Sequence, residues 1–560
     1  MNPSRGSVPG APAHDALASL ESEITDHVFE LQPTYAVMLG LHRYDGRVPL
    51  AGREATDGWA ATADRLLARL REVPEERLPG PRAIDRVLLE LLLQSQLFDL
   101  RESREYDRNP MGYLGAVSLT SYMVRDYAPL PHRVDAMVRV LEATPRLLRE
   151  ARSRLDRILP EPFLRLSQAI GTGLPAHFAE AEELAGRSSA ALGERVREAR
   201  GPAESAVHEF LRALKEEYGP RASPEFALGA ERYQRLLWVR EGIRTPFSEI
   251  EAAGWKDLRR NQARLAEVAA RARPEPTVPA LLESMYRDHP SADRLVPEAR
   301  EFVEESRRFV LDRSLATVPP TADCRVDETP VYGRALSTAS MNPPGPFDDS
   351  GEEGVYFVTP VDPAWTPERR EEWLRSLNRP MLRNITIHEV YPGHYLQFLH
   401  FRLHPNSTTR RISLSASFTE GWAHYCEQLA IEQGLGGGEP TAEAAQLHDA
   451  LLRDCRLLSS VGLHTGGMSL AQSAQLFQKE AYLEPLPSER EAIRGAFNPE
   501  YFCYTLGKLA ILAARAKHLG TTFGGSVKGF HDRLLSLGCP PVGLLDTLLS
   551  GGSGGGPAAA

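Results

Sequence analysis

The chain lacks the features that define several common protein classes. Its 5 cysteines are scattered through 560 residues, and no two of them form a C-x-x-C pair. A disulfide framework is therefore not expected, and the sequence predicts a reducing compartment, the cytoplasm. No window approaches the roughly 20 apolar residues that a membrane helix needs. The N-terminus carries no apolar stretch typical of a signal peptide.

An excess of basic residues is also missing. The chain has 65 Lys and Arg against 75 Asp and Glu, which gives a formal net charge of -10. Because nucleic-acid binding relies on basic surfaces, this balance argues against a nucleic-acid partner. With 42% hydrophobic and 25% charged residues, the composition is that of an ordinary soluble globular protein. Neither a membrane nor a nucleic acid is expected as a partner, and the oligomeric state is left open.

Helical periodicity dominates the pattern that is present, so the predicted fold class is mainly α. Apolar residues recur at three- and four-residue steps in many segments. These segments are 83–100, 134–158, 204–218, 246–270 and 297–311. A further helix is predicted to start at Thr366, which can cap it, with Pro367 as its first residue.

One region, 323–360, departs from this pattern. Short β-rich runs at 325–328, 330–336 and 355–359 are separated by a Pro/Gly cluster that starts at Asn342, which predicts a small sheet. An edge strand of such a sheet could hold an extended peptide by backbone pairing. The alternative is that the sheet only braces the helices.

The domain organisation follows from these patterns. Residues 1–14 are rich in Pro, Gly and small residues, and 550–560 are rich in Gly and Ala, so both ends are predicted to be flexible. Between them we predict an N-terminal helical region, 15–320, and a catalytic helical region with the small sheet, 321–549. The two regions are expected to form one continuous fold.

The most informative segment runs from His388 to His394 and sets two histidines around Glu389. Two neutral imidazoles can ligate Zn²⁺ while a neighbouring carboxylate acts as a general base. However, residues six apart on an unbroken helix point roughly 120° apart. The two rings can converge only if the helix opens, and Pro392 and Gly393 are the residues at which this is expected.

A third ligand is expected from the segment that follows. On a helix, Glu420, His424 and Glu427 lie at i, i+4 and i+7 and share one face. Glu420 is the predicted ligand, with His424 and Glu427 either orienting the ligands or replacing one of them. The alternative is the solvated face of an amphipathic helix. If the first helix is regular, His424 rather than His394 is the next candidate.

Later residues are candidates for contacts with a substrate. His464, or the hydroxyl of a tyrosine such as Tyr501 or Tyr504, could donate to an oxyanion. Arg456 could bind a substrate carboxylate with both arms of its guanidinium group. For each of them the alternative is structural, since buried tyrosines and ion-paired arginines are common.

Several of these motifs together resemble the large bacterial proteins grouped as domain of unknown function 885. The matching segments are 388–397, 418–427, 456–464, 504–508, 530–535 and 538–541, with 39–47 near the N-terminus. The resemblance covers nearly the whole chain. The first two segments are highly specific together, and the others add order and spacing.

That resemblance implies a large, two-lobed helical fold like those of α-helical zinc peptidases, with a deep channel between its halves. It implies one Zn²⁺ per chain, bound by His388, His394 and Glu420, with Glu389 as general base. His464 and Tyr504 would then lie near the substrate. The chain departs from the family pattern at Ser460, where an Asp is expected four residues before the histidine.

Three hypotheses for function follow. The first is a zinc-dependent metallopeptidase that hydrolyses short or unstructured peptides, with carboxypeptidase or dipeptidase activity favoured by the candidate clamp Arg456 alone. The second keeps the zinc chemistry but acts on a non-peptide amide or ester. The third is a helical binding protein without catalysis, and the presence of Glu389 counts against it, because a structural zinc site needs no base.

Overall fold

The structure is a computed structural model that describes residues 11–272, 275–320, 322–334, 337–348, 354–404 and 406–550. In these residues the fold is mainly α-helical with one small sheet, as predicted. The predicted flexible ends lie largely outside the described residues, although the first helix already begins at Ala11. None of the helices in the described ranges has an apolar stretch long enough to cross a lipid bilayer.

The N-terminal half of the chain is a succession of packed helices. They are α1 Ala11–Leu31, α2 Pro33–Met38, α3 Arg53–Arg71, α4 Gly80–Arg101, α5 Glu105–Arg108, α6 Met111–Gly115, α7 Thr120–Val124, α8 Leu130–Arg154, α9 Glu161–Ser188, α10 Ala190–Ala213, α11 Ala230–Glu241, α12 Phe247–Arg271, α13 Val278–Arg287 and α14 Leu295–Asp312. Short 3₁₀ turns lie at His42–Tyr44, Glu75–Arg77 and Gly219–Arg221, and a π-helical turn spans Leu214–Tyr218.

Three of the predicted helices, 83–100, 246–270 and 297–311, agree with α4, α12 and α14 to within a few residues. The segment predicted at 134–158 ends earlier, at Arg154. Leu155 adopts an extended conformation there, and the amide of Asp156 donates to the carbonyl of Asp107 instead of continuing the helix. The segment predicted at 204–218 is the second half of a longer helix, and its last turn is π-helical.

The sheet has the strand order β1-β3-β2, with β1 Cys324–Glu328, β2 Ala339–Asn342 and β3 Gly354–Val358. The fully buried β3 pairs parallel to β1 and antiparallel to β2. The strand predicted at 330–336 is wrong over its described residues, 330–334: Val331–Gly333 form a 3₁₀ turn closed by a bond from Gly333 N to Pro330 O. The partner of β3 is instead Ala339–Asn342, which the prediction placed between strands.

The C-terminal part is again helical. Its helices are α15 Pro367–Ser376, α16 Arg379–Glu389, α17 His394–Leu403, α18 Thr408–Ile412, α19 Ala416–Glu432, α20 Pro440–His464, α21 Leu470–Ala481, α22 Pro485–Phe497, α23 Cys503–His518, α24 Val527–Leu535 and α25 Leu545–Leu549, with a 3₁₀ turn at Val542–Leu544. Thr366 caps α15 as predicted, and its side chain accepts a hydrogen bond from Arg369 N.

Among the described residues, three large apolar cores and a small fourth cluster around Phe163 and Leu463 hold these elements together. The first is built almost entirely from residues 17–214. The second surrounds the sheet and includes α14, α16, α17 and α19, and the third joins α11–α13 to α20 and α21. The helices α11–α14 therefore pack with the C-terminal helices, whereas the predicted boundary at 320 grouped them with the N-terminal region.

The crossing of α19 and α23 determines where the second of the predicted site segments lies. Gly421 and Gly507 meet at this crossing, and a Cβ added at Gly507 would lie 1.7 Å from Ser417 O. Only a residue without a side chain allows the two backbones to approach so closely. Gly421 directly follows Glu420. This contact therefore sets the position of Glu420 along the axis of α23.

Candidate metal centre

The helix that carries the first histidine is interrupted where the sequence predicts. Helix α16 ends at Glu389, and α17 begins at His394. Between them Val390 leaves helical geometry with φ -117° and ψ -83°, and the Tyr391–Pro392 peptide bond is cis. The break turns the second histidine toward the first, so that the two ring centroids are 4.7 Å apart with an interplanar angle of 86°.

Gly393 allows this turn because the chain folds back onto the end of α16. Its amide donates to the carbonyl of Ile387 over 3.1 Å. A Cβ at this position would lie 1.9 Å from His388 O, well inside any tolerated contact. The indole of Trp422 donates to Pro392 O over 2.9 Å and ties the break to α19.

Glu420 completes a compact group with the two histidines. Its Oε2 lies 3.4 Å from His388 Nε2 and 3.6 Å from His394 Nε2. The three ligand atoms all lie within 4.8 Å of one another, and no other such group occurs in the described part of the chain. The histidine side chains are 8% and 10% exposed and that of Glu420 is 28% exposed, so solvent reaches the group from the side of the carboxylate.

Behind the first histidine lies a fully buried carboxylate, Glu427. Its Oε1 is 2.6 Å from His388 Nδ1, and its Oε2 accepts bonds from Arg453 over 2.8 Å and from Asn384 over 3.1 Å. A carboxylate on Nδ1 orients Nε2 outward, which is the arrangement found around metal-ligating histidines. Glu427 is therefore placed for the orienting role that the sequence offered as one of two options, and not as a ligand.

His424, the alternative ligand, does not join the group. It is fully buried, and its Nδ1 lies 3.6 Å from Glu427 Oε2. Burial and the nearby charge of Lys508 lower its pKa to about 3, so the ring is neutral. Lys508 itself is buried and bonds to Asp257 over 2.6 Å. His394, and not His424, thus provides the second imidazole.

Glu389 lies beside the ligand group and is half-buried. Burial raises the pKa of its carboxyl group, and the charge of Glu420 adds to the rise, while the two histidines and the backbone amide of Met341 oppose it. Met341 belongs to β2, an edge strand of the sheet, which places this strand next to the carboxylate. A carboxyl group with a raised pKa is suited to accept and return a proton.

The predicted substrate clamp, Arg456, has a partner within the protein. Its Nε and Nη2 bind the two carboxylate oxygens of Glu491 over 2.8 and 2.9 Å. The hydroxyl of Tyr501 donates to the same carboxylate. Both residues therefore belong to one buried ion-pair cluster, and the prediction that Arg456 is free to bind a substrate carboxylate is corrected.

Tyr504 remains close to the ligand group. The guanidinium carbons of Arg453 and Arg456 lie 5.6 and 5.0 Å from its ring centroid. Burial and the negative charge of Glu420 raise the pKa of its hydroxyl, so the group stays protonated and can donate a hydrogen bond. Its contact with a substrate stays a prediction.

His464 is not brought to the site. It lies at the end of α20, eleven residues or roughly 16 Å of helix beyond Arg453, which contacts the His388 ring. Its Nε2 bonds to Gly495 O over 2.9 Å, and its ring packs against Tyr233. Burial lowers its pKa to about 4. We correct the expectation that this histidine stabilises an oxyanion.

The unusual residue Ser460 is likewise structural. Its hydroxyl bonds to Pro499 O over 2.9 Å and lies 2.6 Å from the hydroxyl of Tyr233.

The sequence also gave no reason to select Asn384 and Arg453, although both orient Glu427. Asn384 lies one helical turn before His388 on the same face, and this spacing is the signal that could have indicated it.

The fold and the paired histidines define a helical protein with a His/His/Glu group of the kind that can bind a metal ion. Comparison with known proteins identifies its family. The model of a family described as bacterial protein of unknown function (DUF885) matches residues 33–549, so the chain belongs to this family. No curated protein matches.

Two solved structures share the fold. One, described as a putative lipoprotein of unknown function from Shewanella oneidensis, is 24% identical with a TM-score of 0.78, and the match covers 95% of this chain and 99% of that one. The other, described as a putative lipoprotein from Colwellia psychrerythraea, is 17% identical with a TM-score of 0.76, and the match covers 96% and 98%. These likenesses establish the overall architecture.

Proposed function

We propose that the protein is a zinc-dependent hydrolase that cleaves peptide bonds in short or unstructured peptides. The observation that carries this proposal is the convergence of His388, His394 and Glu420, whose ligand atoms lie within 4.8 Å of one another. Glu389, a half-buried carboxyl group, directly follows the first of them. A purely structural metal site has no need of such a group.

The residues present fit one Zn²⁺ per chain. Two imidazoles and one carboxylate are the ligand set of many catalytic zinc sites, which keep a further position open. Glu427 holds Nδ1 of His388 and leaves Nε2 directed at Glu420. The greater exposure of Glu420 supports access for a water molecule or a substrate from that side.

When bound, Zn²⁺ would polarise the scissile carbonyl and acidify a water molecule. Glu389 would accept the proton of that water and later transfer it to the departing amine. Its raised pKa supports both steps, because the carboxyl group then holds the transferred proton more readily than an ordinary glutamate. Tyr504 would donate its hydroxyl hydrogen to the oxygen of the attacked carbonyl.

The sheet supports a peptide as substrate. β2 lies at an edge of the sheet, and the amide of Met341 faces the Glu389 carboxylate, so the side of β2 opposite β3 borders the site. An extended peptide could add there by backbone pairing. A channel between helical lobes, which would admit only unfolded chains, is part of this proposal. Because Arg456 is paired with Glu491, we propose no preference for the carboxyl end of the peptide.

The cellular location belongs to the proposal as well. All five cysteines are free thiols, and four of them are buried. Unpaired buried thiols are compatible with a reducing compartment, so we propose the cytoplasm.

The test combines metal analysis with a digest of a peptide mixture. We expect close to one zinc per chain in protein purified without chelators, and new peptide ends detected by mass spectrometry. Glu389→Gln should retain zinc but lower the cleavage rate about 10²–10⁴-fold. Glu372→Gln, an exposed change on α15, is the matched control and should leave both unchanged.

Three outcomes would overturn the proposal in different ways. Normal cleavage by Glu389→Gln would exclude the assigned base. Zinc binding with turnover of acyl amides or esters but not peptides would favour a non-peptide substrate. Protein that neither contains zinc nor is stabilised by added zinc would favour a binding protein without catalysis.

A further inference from the structure

Two cavities adjoin each other, and one of them reaches the start of α19, the helix that carries Glu420. The first, of about 380 Å³, is lined by Tyr35, Asp99, Glu105 and Tyr106 among others. The second, of about 300 Å³, is lined by Gln96, Arg240, Glu500 and Ala416 among others. They share Gln32 and Tyr35, which lie in the walls of both. Together they offer room for a side chain or for a few residues of a peptide.

The second cavity reaches the helix that carries the third metal ligand. Ala416 in its wall is the first residue of α19, and Glu420 follows one turn later, roughly 6 Å along the axis. Glu500, which also lines this cavity, lies three residues before the start of α23. Burial raises the pKa of the Cys503 thiol, and the charges of Glu420 and Glu500 add to the rise, so both carboxylates lie near this residue.

The charged groups in the walls are unbalanced. Three carboxylates, those of Asp99, Glu105 and Glu500, face one cation, Arg240. Arg240 is already engaged, since its Nη2 lies 2.8 Å from both oxygens of Asp99 and its Nε lies 3.3 Å from Glu500 Oε2. Among the described residues, the hydrogen bond that Glu105 accepts comes from a neutral amide, that of Asn109, over 2.6 Å.

The surroundings of Glu105 and Glu500 raise the pKa values of both carboxyl groups. Burial and the neighbouring Asp99 raise the pKa of Glu105 to about 7. Burial raises the pKa of Glu500 as well, against the opposing charge of Arg240. Half-buried carboxylates of this kind are stabilised by an additional positive charge.

An unused acceptor points to the same chemistry. Gln96 is 2% exposed, lines the second cavity, and within the described residues its Oε1 has no hydrogen-bond partner. A buried amide oxygen without a donor is costly unless a ligand supplies one. The aromatic rings of Tyr35 and Tyr106 in the first cavity add surfaces that attract cations.

A metal ion does not explain the carboxylates that line these cavities. In the described part of the chain only His388, His394 and Glu420 bring ligand atoms as close together as one ion requires. Carboxylates that are spread over two adjoining cavities instead suit an extended organic cation, whose charge is delocalised or borne on a flexible stem.

We propose that the joined cavities are a subsite for a positively charged group of the substrate, a guanidinium or ammonium group bound by the carboxylates of Glu105 and Glu500. The proposal rests on the proposed function in one respect, namely that the cation belongs to a peptide whose scissile bond lies at the metal centre. A basic side chain and an N-terminal ammonium group share this chemistry, and the experiment separates them.

The test measures binding without turnover, in zinc-loaded Glu389→Gln protein. Acetylated pentapeptides carrying one arginine at each position in turn are compared by calorimetry with peptides carrying citrulline, its neutral isostere, at the same position. We expect one position at which arginine binds about tenfold more tightly or better, as a charge-assisted hydrogen bond provides. If the subsite takes an N-terminal ammonium group instead, removing the acetyl group should give that gain.

Two variants assign the effect to the cavity. Glu105→Gln and Glu500→Gln should each reduce the arginine preference by about threefold or more, with the affinity for the citrulline peptide unchanged. Glu54→Gln, an exposed change on α3, should leave the preference intact. Thermal unfolding of each variant shows whether it is folded.

Equal affinity for charged and neutral peptides at every position, acetylated or not, would overturn the proposal. A preference that survives both substitutions would also overturn it. The last measurement uses free agmatine, a small guanidinium compound. If agmatine binds but the arginine and citrulline peptides bind equally, a peptide subsite is excluded. Because no step requires cleavage, a lack of peptidase activity would leave this result readable.

Discussion

The carboxylate of Glu427 lies 2.6 Å from Nδ1 of His388, at a position where neither side chain is more than 8% exposed. This contact fixes the orientation of the first imidazole before any metal binds. The same carboxylate holds Arg453 and Asn384, so the support of the histidine comes from three helices, α16, α19 and α20.

Replacing this carboxylate should weaken metal binding without removing a ligand. Glu427→Gln is expected to lower zinc affinity about 10–100-fold, because the ring of His388 loses both its orientation and the negative charge behind it. Competition with a chromophoric chelator measures the affinity. Glu432→Gln, on the exposed end of the same helix, is the control. Since Arg453 also loses its partner, a lower unfolding temperature is expected, and unchanged zinc affinity would contradict the assigned role.

Zinc binding should release a proton at neutral pH. Burial disfavours a charge on His388, but hydrogen bonds to Glu420 and Glu427 outweigh it and raise its pKa to about 9 in the metal-free protein. The imidazole is therefore protonated at pH 7 and must lose its proton to become a ligand. We expect the affinity to rise about tenfold per pH unit up to about 9 and to level off above it.

Calorimetry in buffers of different ionisation enthalpy counts this proton directly. A histidine with an ordinary pKa would give an affinity that levels off already near 6.5. An affinity that is flat above pH 7, with no dependence on the buffer, would therefore show that the contacts of His388 do not hold a proton.

Gly393 should tolerate no side chain. In Gly393→Ala the new methyl group would lie 1.9 Å from His388 O and 2.4 Å from Ile387 O, and neither backbone oxygen can rotate away. We expect a loss of about 1–3 kcal/mol in the free energy of unfolding, together with weaker zinc binding as His394 is displaced. Chemical denaturation measures the first effect.

The matched change for this position is Gly58→Ala in α3, where a Cβ would meet no atom within 4 Å. Alanine should be neutral or stabilising there by about 0.5–1 kcal/mol, since it lowers the entropy lost by a helical glycine. Similar stability of Gly393→Ala and Gly58→Ala would mean that the chain does not fold back at the end of α16 as described.

Much of the site could be predicted because its signals are local. The His388–His394 spacing and the Pro-Gly pair between the histidines are readable within one segment, and both indicate a break in the helix. The i, i+4, i+7 pattern places Glu420 and Glu427 on one helix face without knowledge of the rest of the fold. Helices with a strong apolar stripe, such as α4 and α12, were predicted for the same reason.

The errors concern partners that are distant in the chain. Arg456 is bound by Glu491, 35 residues away, and neither segment contains a signal that predicts this ion pair. β2 consists of Ala-Ser-Met-Asn, which has no β-branched or aromatic residue, and it becomes a strand only because β3 offers its edge. The orientation of α20, which carries His464 away from the metal centre, is likewise a property of the packing.

The glycine contact between α19 and α23 should control both stability and the metal centre. In Gly507→Ala the methyl group would lie 1.7 Å from Ser417 O and 2.8 Å from Gly421 Cα, so the helices must separate. We expect a loss of about 1–3 kcal/mol in the free energy of unfolding. Because Gly421 adjoins Glu420, the separation should also move the third ligand and weaken zinc binding. Gly201→Ala in α10, where a Cβ meets nothing within 4 Å, should change neither quantity for the worse. Loss of stability with unchanged zinc affinity would show that Glu420 is positioned independently of this crossing.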